Sequence, residues 1–182
     1  MTNPKSWKQL KSETVYENPY YTLMRDDVEL PGGKLLQGYH YRINHSWVAI
    51  FVLSPDGKVL LERQNRYPNN ILTWELPAGR LEKGEEPLQA ALRELKEETG
   101  VVATKAEKIG EYVIDPVAST GRVTLFFVND FIETNERNLD YGEDIEAAWV
   151  DLAAMKAMMA RGEIAPIAHL GLIHEILSKK AL

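Results

Sequence analysis

The segment Glu86 to Thr99 constrains this chain most, because it asks for a helix and then loads that helix with charge of one sign. Pro87 suits a first helical position and Gly100 is a natural stop. At about 100° per residue, Leu88, Ala91, Leu92 and Leu95 share one side, the expected core-facing stripe. Glu94, Glu97 and Glu98 fall together on a neighbouring arc, with Arg93 adjoining Glu97 and Glu98 bordering the stripe. Like charges at this spacing cost roughly 0.2–0.5 kcal/mol per pair, and here they sit near the negative end of the helix dipole. Partial burial of Glu98 adds to the cost. A hard divalent cation with oxygen ligands reverses the sign of every one of these terms. An acidic helix by itself reads first as a solvated face, so its surroundings decide.

Those surroundings read as strands before the helix and strands, then helices, after it. Tyr20 to Leu30 and Leu35 to Ile43 flank the turn Pro31-Gly32-Gly33 as a hairpin. Trp47 to Leu53 is apolar enough for a strand buried on both faces, and Pro55-Asp56-Gly57 turns it into Lys58 to Arg63. Thr73 to Leu76 is a further short extended segment. Beyond the helix, Lys108 to Ile114, Val123 to Glu133 and Ile145 to Val150 are expected strands, and Leu152 to Ala160 and His169 to Lys180 expected helices. The class is α/β, a mixed sheet packed between helical layers. With 182 residues the chain is one domain, or one domain with a small extension. The absence of cysteine excludes thiol nucleophiles and zinc–thiolate sites. A net charge of −6 without a basic stripe argues against a nucleic-acid partner. No apolar run reaches membrane-spanning or signal-peptide length, so a soluble, cytoplasmic protein is expected. His40, His45, His169 and His174 show no mutual spacing that suggests a site and read as structural or surface residues.

From Gly79 the chain runs five residues to Glu85, seven more to Arg93-Glu94-Leu95, one to Glu97-Glu98, and one to Gly100-Val101. This spacing resembles the Nudix box at every specified position. The resemblance implies a Nudix-type α/β/α sandwich with a mixed sheet as catalytic domain over residues 46–182, its box at 79–101. It also implies an antiparallel sheet over residues 1–45, used to form a homodimer. By the same resemblance Glu94, Glu97 and Glu98 are metal ligands, with the carbonyl of Ala78 as a further one. Glu97 and Glu98 then carry the catalysis, Glu98 bridging ions. Magnesium is the expected ion, with manganese as a substitute, because it binds few carboxylates and keeps waters. Gly79 allows the tight turn before the helix, Gly100 ends it, and Arg93 pairs with Glu85 or Glu97 to hold the carboxylates in place.

Three features outside the box resemble the ADP-ribose pyrophosphatase and nucleoside-diphosphate-sugar hydrolase subgroup. Pro116 stands sixteen residues after Gly100, where that subgroup has its marker proline. Leu61 to Arg66 followed by Trp74-Glu75-Leu76-Pro77-Ala78-Gly79 resembles the subgroup's paired runs. That assigns Arg66 to a phosphate contact, with Arg63 sharing the role and Glu75 as a further substrate residue. The acidic loop Asp140 to Glu146 supplies Glu143 as general base, with Asp144 and Glu146 as alternatives. Tyr20, like Tyr21, Tyr39 and Tyr41, is a strand aromatic fit to stack on a purine, or else to pack a dimer interface. The expected function is metal-dependent hydrolysis of the diphosphate linkage of ADP-ribose and related nucleoside-diphosphate sugars to a nucleoside monophosphate and a sugar phosphate. The competing readings are a hydrolase preferring GDP-mannose or acting broadly on such sugars, and, from another class, a nucleotide-binding regulatory module.

Overall fold

The computed structural model describes residues 6–134 and 136–182, so the first five residues of the expected N-terminal unit lie outside the described residues. The chain divides into two compact units, one of residues 1–45 with 113–122, the other of residues 46–112 with 123–182.

The first unit is an antiparallel sheet in the order β1 (Lys8–Glu17), β2 (Tyr21–Glu29), β3 (Leu35–Asn44). Strand β1 escaped the sequence reading for a physical reason. It is charged, exposed along nearly its whole length, and broken by register shifts between Gln9 and Lys11 and between Thr14 and Tyr16, so it shows no period of two. Residues 113–122, expected inside the catalytic segment, group with this unit. Ser119 bridges to Arg42, the N–H of Arg42 donates to the Ala118 carbonyl, and Tyr39 donates its hydroxyl to the Val117 carbonyl.

In the second unit, β4 (Trp47–Val52) is the central strand of a mixed sheet. It pairs antiparallel with β7 (Ala78–Arg80) and parallel with β10 (Arg122–Val128), and β9 (Glu107–Val113) lies beyond β10. Alternation along β4 sorts its side chains to two faces. Ala49 and Phe51 join Leu125, Phe127 and the apolar faces of α2 (Leu152–Arg161) and α3 (Ile167–Lys180). Val48, Ile50 and Val52 join Phe126, Val128 and α1 (Pro87–Thr99). The result is helix, sheet, helix. A second sheet places β5 (Lys58–Arg66) between β6 (Ile71–Glu75) and β12 (Glu146–Asp151), both antiparallel to it.

Two local readings change. The expected strand Val123 to Glu133 is two, because Asn129 and Asp130 interrupt it; β11 (Ile132–Glu133) then pairs with β8 (Val101–Val102). The buried face of α1 is Ala90, Ala91, Leu95 and Glu98, while Leu88 is 37% exposed. Two alanines let the helix approach the sheet closely, and the face rotates until Glu98 points inward. Among the described residues, no helix is long and apolar enough to cross a membrane.

Candidate active site

The box folds as a strand, a loop and α1, and its charges organise around one guanidinium. Pro87 opens the helix and Gly100, at φ 74°, closes it in the left-handed conformation, its N–H donating to the Lys96 carbonyl. Arg93 grips Glu85 with two bonds of 2.9 Å, from Nε and Nη2. Its Nη1 meets Glu94 at 2.9 Å and Glu97 at 3.1 Å, and Nη2 also donates to the Arg80 carbonyl. Arg93 thus ties three carboxylates, and its hydrogen bonds hold Glu85 below the ordinary carboxylate range. Across from it, Gly79 leaves room that Glu94 fills: a Cβ at position 79 would overlap the Glu94 carboxyl.

Glu98 stands apart from this network. It is 3% exposed, and one oxygen accepts the Ala78 N–H at 3.1 Å. Beside it lies Glu62, from β5, which is fully buried and whose two carboxyl oxygens meet no hydrogen-bond donor. Burial pushes Glu98 up past neutrality, and the charges of Glu62 and Glu94 push it further. Burial does the same to Glu62, so the two titrate as a pair. Glu94 is raised as well, again by burial first.

Glu143 acts on all three of Glu62, Glu94 and Glu98 by its charge, which places it beside the cluster. Its carboxyl accepts the Asp140 N–H at 2.9 Å. The loop that bears it is fastened to the end of α1. Arg137 donates to the Glu98 carbonyl at 2.5 Å and to the Ile145 carbonyl at 2.7 Å, and the Asn138 N–H donates to the Glu97 carbonyl. The bonds to the Glu97 and Glu98 carbonyls serve helix-end groups that lack intrahelical partners. Of the two alternatives to Glu143, Asp144 is exposed and Glu146 pairs with Arg63 across β5 and β12.

This donor set suits a hard divalent cation. It consists of carboxylates, it holds more negative charge than its arginines neutralise, and the buried Glu62 oxygens have no donor. Among the described residues no three such side chains already stand in ligating geometry. Arg93 holds Glu94 and Glu97 where a cation would compete for them.

Arg66 lies beside the same cluster. Glu75 grips it through Nε at 2.8 Å and Nη2 at 2.5 Å, and the charges of Glu98 and Glu62 also act on it. Glu75 is itself 1% exposed and contacts His169 Nε2 at 3.2 Å. His169 Nδ1 accepts the Leu76 N–H and its ring stacks on Trp47. An accepting Nδ1 leaves the proton of the neutral ring on Nε2, aimed at Glu75. Burial lowers the His169 pKa to about 4, so the ring is neutral at physiological pH. Glu75, expected to touch substrate, is occupied with Arg66 and His169 and acts as their buried anchor. Arg63 lies over the Trp74 ring and pairs with Glu146, and is not brought to the cluster. Pro116 occupies an exposed turn of the first unit, and Tyr20 is exposed there too. Glu62 and Arg137 were not found from sequence. Glu62 had a signal: it shares strand parity with the buried Leu60, so it faces α1.

Comparison with known proteins agrees with this geometry. Residues 44–170 match the NUDIX domain, and residues 7–41 match the nucleoside diphosphate sugar hydrolase N-terminal domain. The chain is 36% identical to an ADP-ribose pyrophosphatase of Bacillus subtilis over 157 residues, 85% of this chain and 84% of that one. An ADP-ribose pyrophosphatase of Mycobacterium tuberculosis is 29% identical over 161 residues, 87% of this chain and 77% of that one. The crystal structure of an ADP compounds hydrolase superimposes with a TM-score of 0.78 at 20% identity, covering 99% of this chain and 98% of that one, which shows a shared fold. With more than two thirds of its length inside the NUDIX match, and that match holding the acidic helix and its arginine, the chain belongs to the Nudix hydrolase family.

Proposed function

We propose that this chain hydrolyses the diphosphate linkage of ADP-ribose and related nucleoside-diphosphate sugars, releasing a nucleoside monophosphate and a sugar phosphate. The observation that carries the reading is a guanidinium fixed by a buried carboxylate, Arg66 on Glu75, beside the carboxylate cluster of α1. Likeness to ADP-ribose pyrophosphatases over most of the chain supports the same substrate class.

Nudix proteins generally use a divalent metal. When bound, magnesium or manganese supplies positive charge to the diphosphate and makes water more acidic. Glu94, Glu97 and Glu98 would hold it, with the Ala78 carbonyl as a further ligand. Arg66 spends two of its five donors on Glu75 and offers the others to a phosphate oxygen. Glu143 takes the proton from the attacking water, and the phosphoanhydride bond breaks with the leaving phosphate as a monoester. Arg93 keeps Glu94 and Glu97 from swinging into solvent.

Product release from ADP-ribose, GDP-mannose, ADP-glucose, UDP-glucose, diadenosine polyphosphates and NADH, with magnesium and with EDTA, tests this. AMP and ribose 5-phosphate from ADP-ribose, well ahead of the others and abolished by EDTA, is the expected result. Comparable rates on several sugars would make the enzyme a broad one, and no turnover at all would sink the proposal.

The same reading includes a homodimer built on the N-terminal sheet. Trp7, Leu10, Val15, Tyr16, Leu35 and Ile43 are all exposed in the single chain, more apolar surface than a small sheet ordinarily leaves to water. Light scattering is expected to give twice the chain mass; a single-chain mass across micromolar concentrations would remove this part of the proposal.

A further inference from the structure

Glu62 belongs to no part of the box, yet it occupies the most protected position among the site's carboxyls. It sits inside β5, with Glu75 of β6 and Ala147 of β12 as its register partners. Val59 and Leu61 of the same strand feed the core beneath α2 and α3, while Leu60 feeds the core beneath α1. Strand alternation puts Glu62 on the Leu60 side, facing α1. An apolar residue there would extend that core without cost. The chain has a carboxyl instead, fully buried, with neither oxygen accepting a hydrogen bond.

A buried carboxylate without donors is strongly unfavourable unless something positive meets it. Its surroundings offer more carboxyls: Glu143 and Glu75 act on it as like charges, and the Glu98 carboxyl beside it can help only while it keeps its own proton. Two guanidiniums interact with it by charge, but both direct their hydrogen bonds elsewhere: Arg137 donates to the Glu98 and Ile145 carbonyls and Arg66 to Glu75. Two carboxyls packed together, one of them a box glutamate, leave unfilled the requirement that a divalent cation fills.

We propose that Glu62 is a further carboxylate of the cation site, supplied by the strand rather than the helix. It sets how tightly the site holds its cation by adding charge beside Glu98 and fixing the Glu98 carboxyl toward the ion. This rests on the reading of Glu98 as a metal ligand, and the test separates the two. Magnesium and manganese are titrated, without substrate, into the wild-type chain and into Glu62→Gln, Glu62→Leu and Glu98→Gln, and affinity is read from cation-induced thermal shifts and calorimetry. Groups that orient a metal ligand typically contribute about 10–100-fold in affinity, so Glu62→Gln and Glu62→Leu are expected to bind at least about tenfold more weakly. Both are expected to melt at or above the wild-type temperature without cation, since each removes a buried ionisable group. The melting point also shows that weak binding does not come from misfolding. If Glu98→Gln loses the cation while both Glu62 variants bind it like wild type, Glu62 is only a packed, protonated neighbour and the inference is overturned. If Glu98→Gln also binds like wild type, the reading of the site falls with it.

Discussion

Replacing Glu98 with glutamine is expected to lower kcat by about 10²–10³-fold with a much smaller change in KM, in a protein that stays folded. The magnitude is that of removing one preorganised group that stabilises charge in the transition state. A loss confined to kcat marks an interaction made in the reaction rather than in binding. The fold survives because Glu98 stabilises little in the chain without metal: it is buried beside Glu62 and Glu94, and the backbone meets it through the Ala78 N–H at 3.1 Å. Removing its charge also changes how stability depends on pH. An unfolded Glu98 releases its proton near 4.5, whereas burial makes the folded chain keep it to higher pH. Above 4.5 the folded state therefore binds more protons than the unfolded state, and stability falls as pH rises toward the raised value. Glutamine does not titrate, so in EDTA the variant should melt higher than wild type and show a flatter slope between pH 7 and 9. His169 does not confuse that window, being neutral in both states above its ordinary value of 6.5. Steady-state kinetics and thermal melts across this range check both parts. A near-normal kcat would falsify the assignment of Glu98.

What was legible in the sequence was whatever a single element carries. Glu94, Glu97, Glu98 and Arg93 lie on one helix, so helical periodicity alone brings them together, and Gly100 ends that helix as its backbone freedom predicts. The double-faced core of β4 was legible for the same reason, since an unbroken apolar run leaves a strand no polar side. Long-range register was not legible. Glu62 becomes a site residue only because β5 lies where its Leu60 face meets α1, and Arg137 only because its loop folds back on the last carbonyls of that helix. The buried pairing of Glu75 has a similar origin. Its partner His169 is ninety-four residues away on α3, and nothing local announces the pairing. Strand β1 shows the opposite failure, a local element whose bulges and exposure erase the local pattern. Residues 113–122 read as part of the catalytic domain because they follow one of its expected strands, yet Ala118 and Thr120 bond to the Arg42 backbone.

Substitution of Gly79 by alanine is expected to cost about 10²-fold in turnover while leaving the melting temperature nearly unchanged. Gly79 does not have a positive φ, so its backbone accepts alanine without strain. It pairs with Val48 through the backbone, and that pairing is untouched. The new methyl would occupy the place of the Glu94 carboxyl. A carboxyl at the end of a flexible side chain yields more readily than the strand beneath it, so Glu94 is the group that moves. It then leaves both Arg93 and the position from which it would hold the cation. Misplacing a reacting or positioning group by about 1 Å can cost 10²-fold, without a comparable loss of stability. Whatever stability the displaced ion pair loses is partly offset by the lower chain entropy of alanine, roughly 0.4–1 kcal/mol. Gly142→Ala serves as the control, since a Cβ there meets nothing within 4 Å. The decisive comparison is Glu94→Ala alone against Gly79→Ala combined with Glu94→Ala. If the glycine acts by making room for that carboxyl, the second substitution adds almost nothing to the first, because both remove the same interaction. Losses that multiply would mean that Gly79 serves the site in some way other than seating Glu94.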